Sequence, residues 1–278
     1  MSKFPRRVLA VAVGLAITAA IASPALFASH SWGGYHWART ANPFTLKIGN
    51  NVSSGWTTQF NTAVSDWNQS AELGLAPVAG TSNRNCRMVA GTVQVCNRTY
   101  GNNGWLGLAS INITGGVHIT QGSAKMNDTY FNTPTYNNPN EKLHVMCQEI
   151  GHTFGLAHTS EDGSSQNTCM DYFSNTGANA TSTLSTHPNA HDYQELSTIY
   201  AHLDSFNTAT SAISPARAGQ SEVTDDPSSW GELIRQSANG RSSKYEHVNQ
   251  DGSRTLTHVY WTLEAAESCP ECDHRSGH

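Results

Sequence analysis

Charged side chains are scarce in this sequence. Only 13% of its 278 residues are Asp, Glu, Lys or Arg, and hydrophobic residues make up 37%. Asn, Thr, Ser and Gly are abundant in their place, and no internal repeat is visible. This composition is more typical of an exported, loop-rich globular protein than of a cytosolic one.

Long hydrophobic runs are also lacking, except for one at the N-terminus, Val8–Ala22. Three basic residues precede it and small residues follow it up to Ala28, which is the order found in a secretory signal peptide. The alternative is a membrane anchor, but the run is shorter than the ~20 apolar residues that a spanning helix needs. No Cys lies near the cleavage site, which argues against a lipoprotein. We predict a cleaved signal peptide over residues 1–28, secretion, and no membrane association afterwards.

Basic residues are few as well. The chain has 16 basic and 21 acidic residues, a net charge of −5. Loss of residues 1–28 would remove three basic and no acidic residues, which takes the net charge to −8. No basic patch is left to bind nucleic acid or an anionic membrane. We therefore expect a monomer that binds neither.

Hydrophobic periodicity predicts both helices and strands. Strands are predicted at 44–49, 92–95, 106–113 and 118–126, and helices at 55–69, 141–154 and 187–203. Further on, two runs at 244–248 and 255–261 flank Asp251-Gly252, a strong hairpin signal. The predicted domains are a main domain at 29–204, a polar linker at 205–229, and a small C-terminal β unit with a disordered tail at 230–278.

One stretch has the spacing of a metal-binding helix, with the residues Gln148, Glu149, His152, Gly155 and His158. Residues four apart on a helix share a face, so Gln148 and His152 can reach one metal ion. Glu149 lies beside them, where it can hold a proton from a metal-activated water. Gly155 allows the chain to leave the helix, and His158 then supplies a third ligand.

Neighbouring side chains do not replace Gln148 at the first ligand position. His144 lies two turns before the histidine of the helix pair, ~12 Å away along the axis. Cys147 points elsewhere, because five residues rotate the helix by about 140° from a shared face. His187 and His191 form another i, i+4 pair that could supply a distant ligand or a second site, or could simply be solvated or cap the nearby helix.

The pattern resembles the metzincin zinc metalloproteases, whose signature continues to a Met-turn. Residues 167–172 (Asn-Thr-Cys-Met-Asp-Tyr) fit that turn. By this resemblance Met170 lies beneath the metal and Tyr172 near it. The likeness covers roughly residues 40–204 and is closest to the matrixin-like catalytic domain, with Gln148 in place of the first ligand histidine. It implies an α+β, zincin-like fold: a twisted mixed β-sheet with an active-site helix and a C-terminal helix, beside the small β hairpin unit.

The resemblance also implies a function. It indicates a secreted zinc metalloendopeptidase that hydrolyses polypeptides, with Zn²⁺ as cofactor and Glu149 as general base. The alternative is a catalytically impaired metzincin-fold protein that acts as an extracellular binding or structural module. A third reading makes the C-terminal unit a carbohydrate- or wall-binding module, although aromatic residues in so small a unit more often form its core. Those aromatic residues are Trp230, Tyr245, Tyr260 and Trp261.

Six cysteines in an exported chain indicate disulfides. Cys86 and Cys96 are close in sequence and are expected to close a short loop. A Cys147–Cys169 bridge would tie the predicted metal-binding helix to the turn that follows it.

The last two cysteines, Cys269 and Cys272, form a C-x-x-C with His274 and His278 nearby. They could bind a metal ion, form a disulfide, or lie in a disordered tail.

Gln148 stands where the metzincin signature has its first ligand histidine, and this difference leads to a prediction. Zinc sites normally use His, Cys or carboxylate ligands, and an amide oxygen is a weaker donor. We expect Gln148→His to raise the affinity for zinc, measured by competition with a chelator. An unchanged affinity would argue that Gln148 is not a ligand.

Overall fold

The protein is described here from a computed structural model, which covers residues 1, 29–81, 85–210, 219 and 221–276. Apart from residue 1, the predicted signal peptide lies outside the described residues. Within these ranges, no helix is both long and apolar enough to cross a bilayer.

The described residues form nine strands and five α-helices. The strands are β1 (His36–Trp37), β2 (Phe44–Asn51), β3 (Leu73–Ala79), β4 (Thr92–Arg98), β5 (Trp105–Thr114), β6 (His118–Asn127), β7 (Glu232–Gln236), β8 (Ser242–Val248) and β9 (Arg254–Trp261). The helices are α1 (Thr57–Trp67), α2 (Asp128–Phe131), α3 (Pro139–His152), α4 (Ala190–Ile199) and α5 (Leu263–Ser268).

All nine strands belong to one twisted mixed sheet. Its order is β3-β2-β4-β6-β5-β9-β8-β7, and β1 pairs with β6 off this path. The pairs among β1, β2, β3, β4 and β6 are parallel, whereas β5 is antiparallel to both β6 and β9. The predicted α+β class with a mixed sheet is confirmed.

The predicted hairpin after the linker forms between β8 and β9, with Gly252 in the left-handed conformation at its turn. β9 then pairs with β5 from Trp105↔Trp261 to Ile113↔Arg254. This pairing satisfies backbone groups that would otherwise be exposed along the edge of β5. The sheet therefore contains strands from both the predicted main domain and the predicted C-terminal unit.

Helix α3 is packed between the sheet and α1. The Asn138 side chain caps its start by accepting hydrogen bonds from two backbone N–H groups, and Pro139 occupies the first turn. The helix therefore begins before the predicted residue 141. Trp67 of α1 donates its indole N–H to the carbonyl of Cys147 at 3.1 Å. Being covered on both sides explains why even the polar residues of α3 near its C-terminal end are buried.

Some predictions at element ends are wrong, and α4 is the clearest case. Asn189 and Asp192 form a capping box, so the helix begins at Ala190 and Pro188 precedes the cap. The helix ends at Ile199 rather than at residue 203. Strand β3 has no counterpart among the predicted elements.

The C-terminal region is more ordered than predicted. Four aromatic residues that were candidates for stacking on a carbohydrate are fully buried in the core, so they cannot stack on one: Trp230, Tyr245, Tyr260 and Trp261. Helix α5 follows β9 directly, where a disordered tail was expected.

Three disulfides are present. Both predicted bridges, Cys86–Cys96 and Cys147–Cys169, are confirmed. The third joins Cys269 to Cys272, which resolves the C-x-x-C pair as a disulfide.

Gly155, just beyond α3, provides a stability test. Its φ is +100°, and a Cβ there would overlap the carbonyl oxygen of Tyr35. A Cβ at positive φ costs ~1–2 kcal/mol, and forced overlap adds about 1–3 kcal/mol. We expect Gly155→Ala to lower the free energy of unfolding by ~2–5 kcal/mol in urea titrations.

Gly252→Ala is the matched control, because Gly252 has φ +78° but open space around its Cβ position. This control should lose only the ~1–2 kcal/mol due to the backbone conformation. Equal losses for the two variants would contradict the overlap at Gly155.

Candidate metal centre

Two histidines of the sequence motif meet at the end of α3. His152 is the last residue of the helix, the chain turns at Gly155, and His158 returns so that the two Nε2 atoms are 2.9 Å apart. His152 Nδ1 lies 2.8 Å from the carbonyl oxygen of Leu156. This carbonyl can accept only if Nδ1 carries the proton, which leaves Nε2 with a free lone pair.

A third histidine joins them from β9. His258, opposite Ala109 of β5, brings a ring nitrogen to within 4.8 Å of those of His152 and His158. The predicted sites did not include His258. Strand alternation places it on the same side of β9 as Leu256 and Tyr260, which marks it as buried. No feature of the sequence, however, indicates that this strand reaches α3.

The three imidazoles have the charge state that metal binding needs. Burial lowers the pKa of His152 to about 3 and holds the pKa values of His158 and His258 well below the usual histidine range. All three rings are therefore neutral at pH 7, which is the ligating form.

Each ring is also oriented by an outer partner on its Nδ1 atom. The partner of His152 is the Leu156 carbonyl. His158 has a Glu161 carboxylate oxygen at 3.3 Å, and His258 has a Glu149 carboxylate oxygen at 3.2 Å. Carbonyl and carboxylate partners of this kind are typical behind metal-bound histidines. A set of three neutral imidazoles therefore fits a divalent transition-metal ion.

Gln148 is held by a different set of contacts. Its Nε2 donates to the carbonyl oxygens of Cys169 at 3.0 Å and Asp171 at 2.7 Å. Its Oε1 is buried and has no hydrogen-bond partner among the described residues. These bonds fasten α3 to the segment around Met170. The role of Gln148 as a ligand stays a prediction, alongside the geometric alternative that His258 provides.

Glu149 lies beside the histidines with one oxygen available. Oε2 is 3.2 Å from His258 Nδ1, whereas Oε1 is buried without a partner within the described ranges. Burial raises the pKa of Glu149 well above its usual value. Gly107 of β5 makes room for this carboxyl, because a Cβ there would be 2.5 Å from Oε1.

Tyr172 lies between two of the histidines. Its hydroxyl is 3.0 Å from His158 Nε2 and 2.8 Å from His258 Nε2. Burial raises the tyrosine pKa well above its usual value, so the phenol keeps its proton. Met170, fully buried, lies against α3, since a Cβ at Gly151 would be 2.7 Å from its sulfur.

The other candidate histidines are occupied elsewhere. His144 contacts the side chain of Asn175 and the carbonyl of Asp171. His187 pairs with Asp66, and the ring of His191 stacks on another histidine near the N-terminus. Within the described residues, none of the three belongs to the cluster with His152.

The cluster lies inside the protein. His152, His258 and Glu149 are fully buried, and His158 is nearly so. His258 reaches the cluster from β9, and the ring of Trp32 meets that of His152 edge-on at 5.7 Å.

No protein-family model matches this chain, and no curated protein matches it. Solved structures with some similarity include myroilysin, with 10% identity and a TM-score of 0.34 over 59% of this chain and 96% of that chain. High choriolytic enzyme 1, a hatching-enzyme zinc-protease from Oryzias latipes (medaka fish), has 12% identity and a TM-score of 0.33 over 60% of this chain and 94% of that chain. These TM-scores are too low to support a functional argument, which therefore rests on the site itself.

The third ligand can be identified by mutation. If His258 binds the ion, His258→Ala should weaken zinc binding by at least about tenfold, the loss that even an outer-shell change causes. Gln148→Ala should have a smaller effect. The measurement is competition with a chromophoric chelator on folded protein.

His247→Ala is the control, because His247 lies on neighbouring β8, pairs with Glu222 and is outside the cluster. A large loss in Gln148→Ala with none in His258→Ala would instead support the ligand set predicted from the helix.

Proposed function

We propose that this protein is a secreted zinc metalloendopeptidase in which His152, His158 and His258 hold the zinc ion. We place it among matrixin-like metzincins that carry glutamine at the first ligand position, acting as a monomer on polypeptides. One observation carries the proposal: three oriented, neutral imidazoles converge beside a tyrosine hydroxyl and a carboxyl, one oxygen of which has no partner in the described part of the chain.

Zinc bound there would supply Lewis acidity to a carbonyl oxygen and to a water molecule. The residues of the chain supply proton transfer and orientation. The Oε1 atom of Glu149 accepts the proton of the attacking water and passes it to the leaving amine. His258 Nδ1 keeps the carboxyl in place through Oε2. The Tyr172 hydroxyl donates a hydrogen bond to the negative charge that develops on the scissile carbonyl oxygen.

Burial of the cluster supports a second candidate function. A polypeptide can reach His152 and Glu149 only if a covering segment moves, because both residues are fully buried. If none moves, the same histidines would hold a structural ion. The protein would then be an impaired metzincin-fold module that binds other extracellular molecules.

Glu149→Gln separates these candidates. The peptidase proposal expects cleavage of casein by the wild type, inhibition by a chelator, and a fall of about 10²–10⁴-fold in the variant, the usual contribution of a general base. Both proteins are assayed at saturating Zn²⁺, because Glu149 is an outer partner of His258 and changing it weakens zinc binding. Their circular dichroism should be the same.

Glu246→Gln, on β8 and paired with Arg254, is the control and should keep full activity. Zinc-loaded wild type that does not cleave casein would reject the peptidase proposal and favour the structural module.

A further inference from the structure

A second cluster of ligating side chains lies away from the first. His36, His118 and Asp204 form its centre, with ligand atoms that all lie within 4.8 Å of one another. His202 lies beside them, with its Nε2 3.1 Å from His36 Nε2, where it can supply a fourth ligand. His36 and His118 are register partners on the parallel strands β1 and β6, so they are adjacent. The segment after α4 runs beside β1, where the Asp204 N–H donates to the Arg39 carbonyl oxygen at 2.8 Å. We propose that this cluster is a second divalent metal site, suited to zinc.

The distances between the ligating atoms fit an ion at their centre. In a tetrahedral zinc site with bonds of ~2.0–2.1 Å, ligand atoms are about 3.3 Å apart. Nε2 of His36 lies 3.1 Å from Nε2 of His202. The Oδ1 atom of Asp204 lies 3.2 Å from His118 Nε2, 3.6 Å from His36 Nε2 and 3.9 Å from His202 Nε2.

Hydrogen bonding alone does not explain this arrangement. Hydrogen bonds account for the 3.2 Å contact between His118 and Asp204 and for the 3.1 Å contact between His36 and His202. The separations of 3.6 and 3.9 Å from Asp204 Oδ1 are too long for hydrogen bonds. Three imidazole nitrogens nevertheless converge on a single carboxylate oxygen. A bridging cation accounts for all of these separations together.

Outer partners orient two of the ligands. The carbonyl oxygen of Gly34 lies 2.8 Å from His36 Nδ1, so a proton on Nδ1 leaves Nε2 free to bind. Arg39 binds the other oxygen of Asp204, Oδ2, through Nη1 at 3.0 Å and through its backbone N–H at 3.2 Å. Oδ1 of Asp204 is thereby left for the ion. Both residues are thus held for binding by groups outside the cluster.

The ion would join three distant parts of the chain. It would connect β1 to the start of β6 and to the segment that follows α4. The residues just before β1 cover the first cluster. The ring of Trp32 packs on His152, and the backbone N–H of Trp32 donates to the Gly155 carbonyl at 2.7 Å. The second ion would therefore fix the N-terminal cover of the first site. Solvent can reach it through His202, whose side chain is 51% exposed.

Metal stoichiometry tests this inference independently of the peptidase proposal. The full chain, stripped with a chelator and dialysed against Zn²⁺ alone, should bind two ions. His152→Ala should retain the second ion. Adding His202→Ala to His152→Ala should weaken the remaining site by at least about tenfold, the loss expected even from an outer-shell change. Because His202 is half exposed, this variant should fold, which circular dichroism checks.

The visible absorption of bound Co²⁺ gives a second measurement. A tetrahedral site of three histidines and one carboxylate should produce intense visible bands in the His152→Ala protein. Adding His202→Ala should remove these bands. His247→Ala in the His152→Ala background is the control and should change neither measurement. A His152→Ala protein that binds no Zn²⁺, or one whose affinity survives His202→Ala unchanged, would overturn the second site. Neither result bears on the first site, which the His258→Ala and Gln148→Ala variants test separately.

Discussion

The pairing of β9 with β5 is the interaction on which the rest of the site depends. It closes the edge of β5 and carries His258 across the sheet to the end of α3. Without this strand, His152 and His158 would be the only histidines at the motif, with Gln148 beside them. With it, three imidazoles converge, and the C-terminal region becomes part of the site rather than an accessory unit.

In this arrangement Gln148 links two segments of the chain. A histidine at position 148 would be expected to point its ring at the metal, whereas the Gln148 amide nitrogen holds the carbonyls of Cys169 and Asp171. The Cys147–Cys169 disulfide fixes the same two segments covalently. Glutamine at this position therefore strengthens the link between the helix and the Met170 segment, while a strand from the C-terminal region supplies the third imidazole.

Much of this could be predicted from sequence because it depends on local rules. The predicted helix over 141–154 is present as α3, and the Asp251-Gly252 signal located the β8–β9 hairpin. What could not be predicted depends on tertiary contacts. Sequence periodicity indicates neither the partner strand of β9 nor the convergence of His36 with Asp204, because each contact joins segments that are far apart in the chain. The helix boundary at Ala190 was missed for a smaller reason: a capping box outweighed the proline before it.

If histidines from both α3 and β9 hold the ion, it should be visible between them in an anomalous difference map, recorded at the zinc absorption edge from crystals of the zinc-loaded full chain. We expect a peak within ~2.0–2.1 Å of one nitrogen from each of His152, His158 and His258. A peak bound by Gln148 and the two motif histidines with His258 turned away, or no peak at this position, would contradict it.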